Sequence, residues 1–248
     1  MKLKFLTEPA LLIEPDRLLV ISDLHIGLEH TLLEAGITLP SQFDILKGKL
    51  ENLIKQTKAK HLVILGDVKN SVTGISPQEY REMPEFFNYF SNIKISVIKG
   101  NHDGNIEKLV PKGVDVYDTK GFVYKNLFFT HGQAWPTASA LDAEYLFMGH
   151  IHPLVEFWTD NVRTTEHCWV RCKINKKIFE KKYGKTCKLK EAIIVPTFSH
   201  LTGGVAFNSK TFKPNDPMIR SKAIDLKTAE VYLLDGTYLG ELKNLKSK

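Results

Sequence analysis

HLVILGDVKN, at residues 61–70, sets a pattern that other parts of the chain repeat. Its apolar run stops at Gly66-Asp67, which reads as a buried strand with a carboxylate at its tip. The same form recurs along the chain. LLVIS (18–22) runs into Asp23-Leu24-His25, and ISVIK (95–99) runs into Gly100-Asn101-His102-Asp103. A run ending at Thr130 meets His131-Gly132, and YLFM (145–148) meets Gly149-His150-Ile151-His152. Between these runs lie helical patterns. SQFDILKGKLENLIKQ (41–56) sets Phe43, Leu46, Leu50, Leu53 and Ile54 on one stripe, with Ser41 and Asp44 at capping-box spacing, and a second helix is expected over 77–89. Strands alternating with amphipathic helices predict an α/β protein.

The later sequence changes rhythm. Residues 114–132 read as short antiparallel strands turning at 118–121 and at Lys125-Asn126. Further strands are expected near 154–158 and 191–195, and the tail closes as a hairpin on Asp235-Gly236. With no internal repeat and no low-complexity linker, one domain over 1–248 is the simplest organisation.

A chain of 248 residues, 43% apolar and 25% charged, has the composition of an ordinary globular protein. No apolar run approaches the roughly 20 residues that span a bilayer. Glu8, Pro9, Glu14 and Pro15 break the N-terminal pattern a signal peptide would need, so a cytoplasmic protein without a membrane partner is expected. Cys168, Cys172 and Cys187 are too few for a disulfide scaffold and read as reduced thiols. A third metal site or one disulfide is the alternative.

The net charge of +6 is local: residues 160–190 hold ten Lys and Arg against three acids, or +7, which leaves −1 for the remainder. Within that segment RCKINKKIFEKKYGKTCKLK (171–190) reads as a basic β-hairpin insertion turning at Tyr183-Gly184-Lys185. Two readings of it stand side by side: a surface for nucleic-acid phosphates, or a solvated lysine-rich protrusion.

Five strand ends deliver Asp, His or Asn. Any one alone would be a helix cap or turn former. Five together, at the carboxyl ends where α/β sheets bind ligands, point to a metal centre. His30, His61, His167 and His200 lack such company and read as structural. Carboxylate, imidazole and amide ligands without thiolate favour Mn²⁺, with Fe²⁺, Zn²⁺, Ni²⁺ or Mg²⁺ as alternatives. The ligand number suggests two ions, which together stabilise the attacking and leaving oxygens of a phosphoryl displacement. Such a pair needs a bridging carboxylate, and Asp67 at the central strand tip is the candidate.

The ordered series D-x-H, G-D, G-N-H-D, H and G-H-x-H, carried by residues 23–152, resembles the calcineurin-like metallophosphoesterase superfamily. That resemblance implies a four-layer αββα sandwich of two mixed sheets flanked by helices. It implies Asp23, His25 and His152 on one metal, Asp67 bridging, and Asn101, His131 and His150 on the second. His102 would act as the acid or charge stabiliser, with Asp103 orienting it. More narrowly, DLHIGLEHTLLEAGITLP (23–40), PTFSHLTGGVAFN (196–208) and YLLDGTYLGEL (232–242) are similar to an archaeal group related to SbcD-type nucleases and DNA-ligase-associated phosphoesterases. This implies a phosphodiester substrate in DNA or RNA, a role in DNA repair and a helicase or ligase partner. The repair nucleases carry a histidine three residues after the bridging aspartate, where this chain has Asn70. Asn70 and Lys69 are therefore the candidate substrate contacts, although an amide cannot carry charge or move a proton. The alternatives to a nuclease-like phosphodiesterase are a small-molecule phosphomonoesterase, a cyclic-nucleotide phosphodiesterase and a nucleic-acid-binding accessory protein with a vestigial site.

Overall fold

The computed structural model describes residues 1–245, and its backbone is built around two mixed β-sheets lying face to face. The first sheet runs in sequence order: β1 (Lys2–Phe5), β2 (Leu11–Glu14), β3 (Leu18–Ile21), β4 (His61–Ile64), β5 (Lys94–Ile98) and β6 (Asp115–Tyr117). Pairing is antiparallel as far as β3 and parallel from there on. The second sheet is made of β7 (Phe122–Tyr124), β8 (Leu127–Thr130), β9 (Tyr145–Met148), β10 (Pro153–Thr159), β11 (Val162–Ile174), β12 (Glu191–Ile194), β13 (Val205–Ala206), β14 (Ile224–Leu233) and β15 (Tyr238–Glu241). Its order is β13-β10-β11-β12-β9-β8-β7, with β14 and β15 branching from β11. The helices are α1 (Leu28–Glu34), α2 (Phe43–Thr57), α3 (Pro77–Tyr89), α4 (Lys176–Tyr183) and α5 (Pro217–Arg220).

Side-chain alternation along each strand separates the layers. Leu18 and Val20 enter the core between the sheets, where Leu11, Val63 and Leu65 meet Phe129, Phe147, Trp169 and Ile193. Their neighbours Leu19 and Ile21 face the other way, onto Leu50 and Leu53 of α2 and Met83 and Phe86 of α3. On the far side, Phe179 of α4 and Met218 and Ile219 of α5 cover Phe128, Leu146, Val170 and Ile194. This is the four-layer αββα sandwich expected from the sequence. Each fully buried Phe in these layers contributes on the order of 2 kcal/mol of apolar burial. Among the described residues no helix is long and apolar enough to cross a membrane.

Three local expectations need correction. Residues 171–190 do not form a hairpin: β11 runs on to Ile174, and Lys176–Tyr183 is a helix stopped by Gly184 at φ 65°. The spacing of Phe179 and Tyr183 was one helical turn, which reads equally as aromatics interleaved among lysines. Residues 114–132 are split between sheets, since β6 joins β5 in parallel and only β7 and β8 form a hairpin. Ser41 and Asp44 form no capping box. Asp44 pairs with Lys47, and the box sits instead on α3, where Ser76 and Glu79 satisfy each other's backbone N–H. The N-terminal segment supplies strands β1 and β2. The three cysteines are free and buried, as expected, in the core beneath α4 and α5.

Candidate metal centre

Parallel pairing brings the carboxyl ends of β3, β4 and β5 to one edge of the first sheet, and β8, β9 and β12 do the same in the second. The tips are then laced together by backbone hydrogen bonds. The Asp23 N–H donates to the Gly66 carbonyl at 3.1 Å, the His25 N–H to Asp67 at 2.9 Å and the Gly149 N–H to His131 at 2.9 Å. The sheets are joined where the His150 N–H reaches the Asp23 carboxylate at 3.2 Å.

Five of the predicted ligands sit in left-handed backbone: Asp23 (φ 55°), His25 (49°), Asp67 (49°), His150 (72°) and His152 (46°). Such a conformation costs a residue with a side chain on the order of 1 kcal/mol and persists only where surroundings enforce it. Here it turns successive side chains inward from abruptly ended strands. Glycine serves two purposes at the tips. Gly66 has φ 89° and makes a turn, whereas at Gly149 a Cβ would lie 2.7 Å from Asp23 Oδ2 and would also overlap Ser22 Oγ. Gly149 is there for room.

Asp67 is nearly fully buried, and its two oxygens have different tasks. Oδ1 accepts the His102 N–H at 2.9 Å. Oδ2 faces three imidazoles, with Nε2 of His131 at 3.3 Å and Nε2 of His25 and of His102 each at 3.9 Å. Asp23 Oδ1 lies 3.2 Å from His152 Nε2. Three groups could hold an ion: Asp23 with His25 and His152, His25 with Asp67 and His102, and Asp67 with His131 and His150. Asn101, an amide outside those groups, places Oδ1 3.3 Å from His131 Nε2.

Three of the inward-facing imidazoles are oriented from behind, whereas Nδ1 of His150 lies 3.2 Å from Nε2 of His131. Nδ1 of His25 donates to Asn70 Oδ1 at 3.2 Å, Nδ1 of His131 to the Leu65 carbonyl at 2.5 Å and Nδ1 of His152 to the Gly203 carbonyl at 2.8 Å. Outer partners of this kind fix the tautomer and leave Nε2 bare for a metal. The buried Nε2 atoms of His25 and His152 indeed have no hydrogen-bond partner, and buried polar groups are seldom left so. Hard carboxylate oxygens and borderline imidazole nitrogens suit divalent ions. The residues fit a pair of them.

Electrostatics divides the imidazoles into two kinds, neutral ones ready to bind and one, His131, that would release a proton on binding a metal. Burial lowers the His25 and His150 imidazoles to about 4, so both are neutral, ligand-ready nitrogens at neutral pH. Burial also opposes charge on Asp23 and His131, yet their opposite partners prevail. The His152 imidazole holds Asp23 below the ordinary carboxyl range, and the Asp67 carboxylate raises His131 to about 9.

Three predicted residues take other positions than expected. Asp103 does not hold His102: its Oδ1 accepts the N–H groups of Val68 (2.9 Å) and Lys69 (3.2 Å), and its Oδ2 accepts that of Gly100 (2.8 Å). A carboxylate beside three free amides in a tight turn is captured by them, and burial raises Asp103 to about 6. The group on His102 Nδ1 is the Asn70 carbonyl. Lys69 is fully buried with its ammonium on the Ser71 carbonyl, and Asn70 spends its amide on His25 and, at 2.8 Å, on Thr31.

Sequence reasoning missed a sixth strand end. β12 runs parallel to β9, so the loop after it reaches the same edge. Thr197 Oγ1 donates to the Asp23 carbonyl at 2.8 Å, and Gly203 orients His152. IIVPTFS has the same apolar-then-polar form as the other tips, and that signal was present. Ser22, whose hydroxyl donates to Asp23 Oδ2 at 2.5 Å, and Glu79, which binds the loop after β4, gave no such signal.

Among solved structures, that of Pseudomonas putida nuclease MPE is similar over 96% of this chain and 94% of that one, at 20% identity and a TM-score of 0.59. The E. coli phosphoesterase Yfce matches over 90% and 96% at 18% identity, with a TM-score of 0.42. No curated protein matches the sequence. The sequence model of the calcineurin-like phosphoesterase family matches residues 16–214, and the chain belongs to that family of metal-dependent phosphoester hydrolases.

Proposed function

We propose that the protein is a two-metal phosphodiesterase acting on nucleic acid, with Asp23, His25 and His152 on one ion, Asp67 bridging, and Asn101, His131 and His150 on the other. The observation that carries this reading is the division of labour at Asp67, where one oxygen is tied to the His102 N–H and the other faces three imidazole nitrogens. A carboxylate that offers a single oxygen to two sets of ligands is what a shared ion pair requires. Two ions so held would polarise the phosphoryl oxygens and lower the pKa of bound water, Mn²⁺ being the favoured metal.

The chain's own part is positional. His102 is a quarter exposed at the rim. Its Nδ1–H is committed to the Asn70 carbonyl, so Nε2 is the atom available to substrate, to hydrogen-bond a phosphoryl oxygen or to protonate the departing alkoxide. Asn70 and Lys69 act behind the ligands. The SbcD-like and ligase-associated likeness of residues 23–40, 196–208 and 232–242, and the nuclease of like fold, support a nucleic-acid diester, a DNA-repair setting and a helicase or ligase partner. Buried free thiols fit a reducing, cytoplasmic compartment. The test is a metal-supplemented substrate panel: phosphomonoester, bis-p-nitrophenyl phosphate, cyclic nucleotide, single-stranded and duplex DNA, and RNA. Preference for the monoester or the cyclic nucleotide over every linear diester would overturn the reading.

A further inference from the structure

The charge of residues 160–190 sorts into two kinds once its partners are known. Arg163, Arg171, Lys185 and Lys190 pair with Glu156, Glu191, Asp142 and Glu144, all of them outside the segment. Of the six basic residues that remain, four gather on α4. Lys176, Lys177, Lys181 and Lys182 are all exposed, and among the described residues none pairs with a carboxylate.

Lys181 and Lys182 lie in the last turn, where the helix dipole favours a cation, but helix stability does not account for the other two. Lys176 and Lys177 occupy the first turn, where the helix dipole disfavours a cation, and no side chain caps that end. The inward face of α4 is fully used: Phe179 is buried in the core and the Tyr183 hydroxyl donates to the Pro136 carbonyl. Lys177 and Lys181, four residues apart, share the opposite face.

The last turn of the helix packs on the segment that follows His131. Trp135 packs edge-on against Phe179 at 5.6 Å, and Lys182 Nζ lies 4.5 Å from the centre of its indole ring. Trp135 is four residues beyond His131, so their Cα atoms are at most about 14 Å apart. At 3.4 Å of rise per nucleotide, that distance is about four steps of one strand.

We propose that the outward face of α4, with Lys182 on Trp135 at its near end, is the contact surface for the phosphate backbone of a nucleic acid whose scissile diester lies at the metal centre. This rests on the phosphodiesterase reading and adds where the strand is held. A row of unpaired ammoniums gains by releasing counterions from a polyphosphate, a gain that a small mono- or diester cannot supply. Affinity through α4 is therefore salt-dependent and tolerant of sequence, and it separates long substrates from short ones.

The experiment compares the wild type with K176Q/K177Q/K181Q/K182Q, and with K58Q/K60Q as a control at the opposite end of the sheet. Binding of labelled single-stranded DNA, duplex DNA and RNA is measured in EDTA at 50 to 200 mM salt, and hydrolysis of bis-p-nitrophenyl phosphate is measured separately with Mn²⁺. Glutamine keeps helix propensity, and a melting curve verifies the fold. The α4 variant is expected to lose at least ~10-fold in affinity at 50 mM salt and to show a shallower salt slope, by about 2 to 3 for a single strand. Its small-diester turnover is expected to stay within about 2-fold of wild type, and the control to bind as wild type. Unchanged affinity and slope in the α4 variant, an equal loss in the control, or no oligonucleotide binding by the wild type at 50 mM salt would each overturn the proposal. Binding to anionic vesicles or acidic peptides in place of oligonucleotides would do so as well. Absence of small-diester hydrolysis by the wild type counts instead against the phosphodiesterase reading, since binding in EDTA needs no turnover.

Discussion

The side-chain oxygen of Asn70 lies 3.2 Å from Nδ1 of His25, both residues being buried. The amide thus holds the imidazole so that Nε2 turns toward Asp67, and its own nitrogen is anchored on Thr31. A substrate contact and a positioning residue behave differently when removed. Asn70→Ala is expected to weaken metal binding by about 10- to 100-fold in a metal titration, with KM little changed once metal saturates. A raised KM at unaltered metal affinity would return Asn70 to the substrate.

Asp67→Asn and His150→Ala test the centre itself. Asparagine keeps the shape of Asp67 and its acceptor for the His102 N–H but loses the anionic oxygen facing three imidazoles. Either change is expected to lower Mn²⁺-dependent hydrolysis of bis-p-nitrophenyl phosphate by at least ~100-fold while the folded far-UV spectrum is retained. Activity near wild type in either variant would dismiss the site assignment.

His102 borders the cluster without depending on it for orientation, because the Asn70 carbonyl fixes its ring. His102→Ala should reduce kcat by about 10²- to 10⁴-fold, the range of a general acid, and leave bound metal near the wild-type content. Elemental analysis of the purified variant decides this. If metal and turnover fall together, His102 is a ligand.

Most of the candidate site was legible because strand ends concentrate chemistry. Asp23, His25, Asp67, His131, His150 and His152 each follow an apolar run, and the parallel pairing that gathers them is the ordinary consequence of α/β alternation. What stayed hidden was orientation. Asp103 follows His102 in sequence, yet backbone amides took its carboxylate, and no spacing rule says which of several donors will win. The carbonyls of Leu65 and Gly203 that orient His131 and His152 belong to any residue type and leave no trace in composition. The fold failed to read where one pattern served two structures, as in the lysine-rich turn of α4, or where crossing between sheets looked like a hairpin, as at 118–121.

Glu79 anchors the loop that carries Asn70. Its carboxylate accepts the N–H groups of Asn70 at 3.0 Å, of Ser71 at 2.6 Å and of Ser76 at 2.6 Å, and it is fully buried. Glu79→Ala strands three amides at once, and a buried donor without a partner costs on the order of 1 kcal/mol or more. A loss of about 3 kcal/mol in urea unfolding is expected, with weaker metal binding through Asn70. A loss under about 1 kcal/mol, the worth of an N-cap alone, would mean that the loop holds itself.

His61 gives the fold a pH dependence far from the metals. It begins β4, its Nε2 lies 2.9 Å from Ser96 Oγ, and burial, with the Lys94 ammonium adding to it, lowers the imidazole to about 4. The folded value is below the unfolded value of about 6.5, so the fold prefers the neutral ring. Above pH 6.5 both states are neutral and this group contributes no pH dependence. As pH falls from about 6.5 toward 4, the unfolded chain takes up a proton that the folded chain refuses, and stability drops across that window. The drop is on the order of 2 kcal/mol after allowing for partial solvation of the ring. His61→Gln retains a partner for Ser96 and cannot titrate, so its urea midpoint should fall less than that of wild type between pH 7.5 and pH 4.5. Parallel pH profiles for the two proteins would show that His61 accepts its proton without cost and that the acid sensitivity lies elsewhere.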